Sequence, residues 1–168
     1  MTIYFGDSTS QATAGTAGKI LQVVHTQSTT QSTLGQNTWH EVLEASITPS
    51  STSNKVLIQG MVTYSENAGD VHVRIYLDND GNHIGSGSAS GSGTSSHSSG
   101  SSGRQGWDCT TNPVTYLHSP SSTSSRTYSI RVMCSNGGFK LNRQINGNQN
   151  HANDNAHSTN LVLMEVAA

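Results

Sequence analysis

The side chains able to do chemistry in this sequence are mainly histidine, aspartate and serine, and their spacing builds no recognisable catalytic or metal site. Eight histidines occur in 168 residues. Asp78-Asn79-Asp80-Gly81 opens like a calcium loop. A loop of the EF-hand type starting at Asp78 needs glycine at its sixth position and glutamate at its twelfth, where this chain has His83 and Ala89. The segment therefore reads as a hairpin turn, because an Asp-Gly pair tolerates positive φ. There is no His-x-x-x-His pair on a helix and no close cysteine pair, as a zinc site would need. His97, or His151 and His157 beside Asp154, could gather around a threefold axis; solvated loop histidines are the expectation, and no cofactor or metal is expected. Nothing resembles the Gly-x-Ser-x-Gly elbow of a hydrolase. The ten acidic residues sit mainly in turns and arms, a weak basis for a carboxylate-pair glycosidase. Trp107 next to Asp108 is an aromatic–acid pair suited to a sugar ring, against the alternative that Trp107 caps a core edge. The chain thus reads as a non-enzyme whose candidate surface contacts are Trp107, Asp108, His151, Asp154 and His157.

The elements that would hold these residues are strands. Val71, Val73, Ile75 and Leu77 alternate with His72, Arg74, Tyr76 and Asp78, the period of a half-buried strand. Tyr128, Ile130, Val132 and Cys134 share a face in the same way, as do Val56, Ile58, Val62 and Tyr64. Gly60 falls on that last face without a side chain, which marks a bulge or the close approach of another strand. Lys19–His25, Trp39–Glu44 with Ser46–Thr48, Val114–His118 and Phe139–Arg143 supply further strands, and Pro49–Asn54 is a turn by composition. Thr159–Val166 is apolar on both faces. It is expected to lie centrally in a sheet and, through Leu161, Val162, Leu163 and Met164, to touch a neighbouring subunit. The stretch 85–103 is nearly pure glycine and serine and reads as a long flexible loop; 144–158 is a second polar loop. Roughly eight to ten short strands without a helical period predict an antiparallel β-sandwich or barrel. Residues 1–18 read as an extended N-terminal arm, and 19–168 as the domain.

Composition narrows the function. Charged residues make up 11% of the chain and the formal net charge is -2. The eight Lys and Arg are scattered, so no basic patch for a phosphate backbone is expected. No stretch is long and apolar enough to span a bilayer as a helix, and Met1–Asp7 lacks the pattern of a signal peptide. Cys109 and Cys134 read as two reduced thiols, with a single cross-strand disulfide as the alternative.

Three segments carry a family resemblance: Gly18-Lys19-Ile20-Leu21-Gln22-Val23-Val24; Ile47-Thr48-Pro49-Ser50-Ser51-Thr52-Ser53-Asn54-Lys55-Val56-Leu57-Ile58; and Asn160-Leu161-Val162-Leu163-Met164-Glu165-Val166. Together with the opening Met1–Asp7 they resemble a module of tailed-bacteriophage structural proteins, of the type found in phages of marine bacteria and cyanobacteria. The module is similar to trimeric jelly rolls of the C1q and tumour-necrosis-factor type. The resemblance implies a jelly-roll sandwich, a homotrimer at the virion surface assembled in the bacterial cytoplasm, and no enzymatic activity. On this reading Ile3, Tyr4 and Phe5 anchor the arm to another virion protein in tail or capsid, and the loops face a host glycan or protein. The two roles expected are a tail- or fibre-type appendage that binds the host and a capsid decoration protein that clamps the shell. Neither nucleic-acid binding nor membrane insertion is expected.

Overall fold

In the computed structural model the chain is described over residues 17–66, 70–78, 81–89, 91–100, 109–137, 139–144 and 156–168, together with the backbone of two short strands near the N-terminus. Those two, β1 (Ile3–Tyr4) and β2 (Ser10–Gln11), pair antiparallel with each other. The domain strands follow as β3 (Ile20–Ser28), β4 (Ser32–Leu34), β5 (His40–Ile47), β6 (Lys55–Glu66), β7 (Val71–Leu77), β8 (His83–Ile84), β9 (Ser98–Gly100), β10 (Thr110–His118), β11 (Arg126–Cys134), β12 (Phe139–Leu141) and β13 (Thr159–Val166). Every pairing between these strands is antiparallel, and the described residues contain no helix.

The wiring is that of a jelly roll. Setting aside the short β4, β9 and β12, the first strand pairs with the last, β3 with β13. The second pairs with the next to last, β5 with β11. The sequence continues inward with β6 on β10 and β7 on β8. This is one long hairpin rolled up. Two further pairings, β13 on β6 and β11 on β7, join the rolled pairs into two sheets. One sheet runs β3-β13-β6-β10, with β12 and β4 extending it beside the far end of β6; the other runs β5-β11-β7, with β8 and β9 sharing the free edge of β7. Two packed sheets of Greek-key connectivity define this architecture.

The alternation seen in the sequence is what fills the gap between the sheets. Val56, Ile58, Val62 and Tyr64 from β6 meet Val71, Val73 and Ile75 from β7 and Tyr128, Ile130 and Val132 from β11, all fully buried. Each such side chain contributes about 1.5–3 kcal/mol by leaving water. Gly60 continues the inward row of β6, and its role is close approach. A Cβ there would stand 2.7 Å from the Asn160 carbonyl oxygen and 2.9 Å from Ile130 Cδ1. The register runs regularly past it on both sides, so it is not a bulge. Pro113 sits within β10, which among the described strands pairs with β6 alone, so its missing N–H is tolerated on the other edge. The bulge lies instead in β5, between Glu41 and Leu43 opposite Arg131 and Ile130, while Ala45, regularly paired with Tyr128, joins the two segments read from sequence into one strand.

Within the glycine–serine stretch, the described residues 85–89 and 91–100 include a short strand where a flexible loop was expected. Ser98–Gly100 forms β9 on the edge of β7, and the Gly87 N–H bonds the Ser96 carbonyl. His97 ties the segment down at three points. Its backbone N–H donates to the Val73 carbonyl at 2.8 Å. Its Nδ1 lies 3.1 Å from the Gly85 carbonyl, and its Nε2 accepts the Thr115 N–H at 3.1 Å. A carbonyl only accepts, so the proton sits on Nδ1. Composition suggested a flexible loop because glycine and serine carry no apolar pattern; backbone pairing and one histidine supply the order instead.

Asn142 plays a similar part at the other end. It is fully buried in the left-handed region (φ 57°). Its Nδ2 donates to the Ser28 and Thr30 carbonyls, both at 3.1 Å, and its Oδ1 accepts from Thr159 Oγ1 at 3.0 Å. One side chain thereby joins the ends of β3, β12 and β13. Neither cysteine forms a disulfide, and the buried Cys134 donates its Sγ–H to the Asn136 carbonyl at 2.8 Å.

Candidate binding and assembly face

The outward side of the β3-β13-β6-β10 sheet is the surface with the most distinctive chemistry. Strand alternation sends every second residue out, and the registers line these residues up across four strands. Val23, Met164, Leu57 and Leu117 are direct neighbours in one cross-strand row. Val23 is 57% and Leu117 46% exposed. The next row is His25, Val162, Gln59 and Thr115, and the one beyond it Gln27, Asn160, Met61 and Pro113. These three rows hold no Lys, Arg, Asp or Glu. One end of the face is an apolar ridge; the other is amide and hydroxyl.

At the polar end the surface is concave. A groove of about 540 Å³ runs between Gln27, Thr29, Met61, Thr63, Thr111 and the stretch 156–158. Thr63 and Thr111 bridge it with their hydroxyls 2.9 Å apart. His157 is held by its own N–H donating to the Asn142 carbonyl at 3.1 Å, and its Nε2 is buried with no hydrogen-bond partner among the described residues. A smaller hollow of about 270 Å³, bounded by Gln59, Thr115 and Asn160, adjoins the groove across Met61.

The opposite sheet turns a different surface outward. The Arg74 guanidinium lies 4.1 Å from the Trp39 ring centroid and that of Arg131 4.4 Å from the Tyr76 ring. Arg74 also donates to the Ser95 carbonyl and Tyr76 Oη, and Arg131 to Glu41 at 3.2 Å. Burial, reinforced by Arg74, holds His83 below its ordinary value. Stacking on this face covers Tyr76, which is why an outward residue is buried. Trp39 was not singled out from sequence as a partner of Arg74, since nothing local links the two. Near one edge, His118 Nδ1 lies 2.9 Å from Tyr128 Oη, with the Asp78–Arg126 ion pair close by. Burial and then Arg126 lower His118, with Asp78 opposing them.

Glu165 is a buried charged residue that sequence reasoning missed. It follows Leu161 and Leu163 on the inward face of β13, at the end of the sandwich. Oε1 accepts from the Ser50 N–H at 2.6 Å, Ser50 Oγ at 2.7 Å and Asn54 Nδ2 at 2.6 Å; Oε2 accepts from Gln22 Nε2 at 2.6 Å. Burial raises its carboxyl, but the hydrogen bonds from Asn54, Ser50 and Gln22 outweigh that and bring it down to about 2. With its acceptors filled by the chain's own donors, this cluster closes the fold.

The residues expected to contact partners fall into three groups. Phe5, Trp107, Asp108, His151 and Asp154 lie outside the described residues, as do the side chains of Ile3 and Tyr4, whose backbone pairs with Gln11 and Ser10. His157 lines the groove. The four residues of β13 divide. Leu161 and Leu163 are fully buried in the chain's own core and have no surface left for a subunit contact, because the alternation turns them between the sheets. Val162 and Met164 face outward on the sheet. His97, expected to be solvated, is instead the brace described above. Among the described residues no group of three or more His, Cys, Asp or Glu could hold a metal ion, and no helix is long and apolar enough to cross a membrane.

No family model matches the sequence, and no curated protein matches it. Among solved structures, the chain is similar in fold to a chain in the structure of infectious bursal disease virus, Gx strain, with a TM-score of 0.42 and 15% identity over 99% of this chain and 41% of that one. The corresponding values for the Gt strain are 0.39, 14%, 99% and 42%. The chain spans about two fifths of the length of these solved chains.

Proposed function

We propose that the chain is a structural protein of a tailed-phage virion, a trimeric jelly roll at the particle surface, anchored through residues 1–18 and presenting loops to the host surface. The observation that carries the reading is the apolar row Val23–Met164–Leu57–Leu117 on a sheet face whose three central rows carry no charged residue. An in-register apolar stripe across four strands is expensive to leave in water, and closed assembly of copies covers it. The sequence resemblance to phage structural modules supports the same reading. Ile3, Tyr4 and Phe5 are the proposed anchor, and Trp107, Asp108, His151, Asp154 and His157 the proposed contacts.

Capsid decoration is the second reading, favoured by a sequence that carries no heptad pattern for a fibre shaft. The test is to find the chain in particles of the virus that encodes it, by mass spectrometry and by labelling in particle reconstructions. Tail density at low copy number supports the appendage; a high copy number over the head replaces it with decoration. A chain abundant in infected cells and missing from particles overturns both.

A further inference from the structure

We infer that the groove at the polar end of the outer sheet face binds a neutral saccharide. The class of ligand follows from the lining. Thr63 and Thr111 bond each other and Ser158 Oγ accepts from Asn160, which leaves each hydroxyl capacity for one further bond; with the Gln27 amide they match sugar hydroxyls. Among the described residues no Lys, Arg, Asp or Glu lines the groove, which favours a neutral ligand over a phosphate, sulfate or carboxylate. Met61, 43% exposed between the groove and the smaller hollow, supplies an apolar surface for the C–H face of a ring. The volume of about 540 Å³ falls in the range of small-molecule sites. His157 lines the groove, and its Nε2 has no hydrogen-bond partner among the described residues. An extended peptide fits less well. The groove crosses the face of β6, whose backbone groups are spent on pairing with β10 and β13, so a peptide would find side chains there and not free backbone groups.

This inference deepens the reading of a host-binding surface protein and rests on it for its biological meaning. The test uses the purified full chain on a printed array of neutral oligosaccharides, with sialylated and sulfated glycans and short peptides as further arms. Binding confined to neutral glycans is expected. Thr111→Val and Ser158→Ala each remove one hydroxyl at nearly constant volume; combined, they should weaken binding about tenfold or more. Glu41→Gln on the opposite sheet should leave it unchanged. Absence of neutral-glycan binding by the folded protein, binding only to charged glycans or peptides, or full affinity in the double variant would overturn the inference. Particle membership is measured separately, so a failed groove leaves the virion reading intact, and a chain absent from particles leaves the binding result standing.

Discussion

Asn54 donates its side-chain N–H to Glu165 across 2.6 Å, joining the turn before β6 to the last strand of the domain, 111 residues further along the chain. Gln22, at the start of β3, reaches the other carboxylate oxygen and also donates to the Thr48 carbonyl at 2.7 Å. The three segments that carry the family resemblance therefore meet in one hydrogen-bonded knot. The apolar residues within them build strands, as in any sandwich. The polar residues among them fix how the first, third and last principal strands close one end of the roll.

Glu165 should make stability depend on acid. Its carboxyl ordinarily titrates near 4.5 and is brought down to about 2 in the fold. A depressed folded value means that the charged form is the stabilising one. The contribution is fully present above about pH 4.5 and is lost as pH falls through about 2. Glu165→Gln should lower stability at neutral pH by about 1–2 kcal/mol, since it places an amide N–H among donors. It should also flatten the loss between those pH values. Urea midpoints for both proteins across that window check this, and an unchanged acid slope in the variant would sink the account.

His97 should control the order of the glycine–serine segment. Replacing it with alanine removes the bonds to Gly85 and Thr115 and leaves the backbone pairing of β9 with β7. Each lost bond is worth about 0.5–1.5 kcal/mol at this exposed edge. Local opening should respond more than the global melt. Amide exchange at Thr115 and at Ser98–Gly100 should speed up about tenfold or more, with core amides of β11 little changed. Equal exchange rates in the two proteins would show that the segment is ordered by other means.

The strands were legible where one face is apolar and the other is not. β7 and β11 could be read residue by residue, because alternation over seven to nine positions has no other cheap solution. β9 was not legible: Ser98, Ser99 and Gly100 carry no pattern, and their order comes from a partner strand some 25 residues earlier. The doubly apolar β13 was read correctly as central, but its two faces were merged. Leu161 and Leu163 serve the core and Val162 and Met164 the surface, a division that needs the second sheet to be placed. Glu165 was hidden for the same reason. A lone glutamate near a chain end looks solvated until Ser50, Asn54 and Gln22 are brought to it. His157 alone of the candidate contacts reaches a described concavity, and its groove partners come from β3, β6 and β10, far away in sequence.

The apolar row makes assembly testable one side chain at a time. Leu57 and Met164 point away from the core, so lysine at either position is tolerated by the isolated fold, and the cost to the monomer should stay within about 0.5 kcal/mol. Within a subunit interface formed on the apolar row, the same lysine would bury a charge among Val23, Leu117 and their outward neighbours. The proposed trimer has three times the chain mass of 17.7 kDa. Leu57→Lys and Met164→Lys should each shift the protein to that of one chain in sedimentation velocity, with circular dichroism unchanged. Thr123→Lys, in an exposed turn, should leave the trimer intact. A wild-type protein that sediments as one chain removes the proposed trimer altogether, whereas a trimer that survives both substitutions places the interface elsewhere on the molecule.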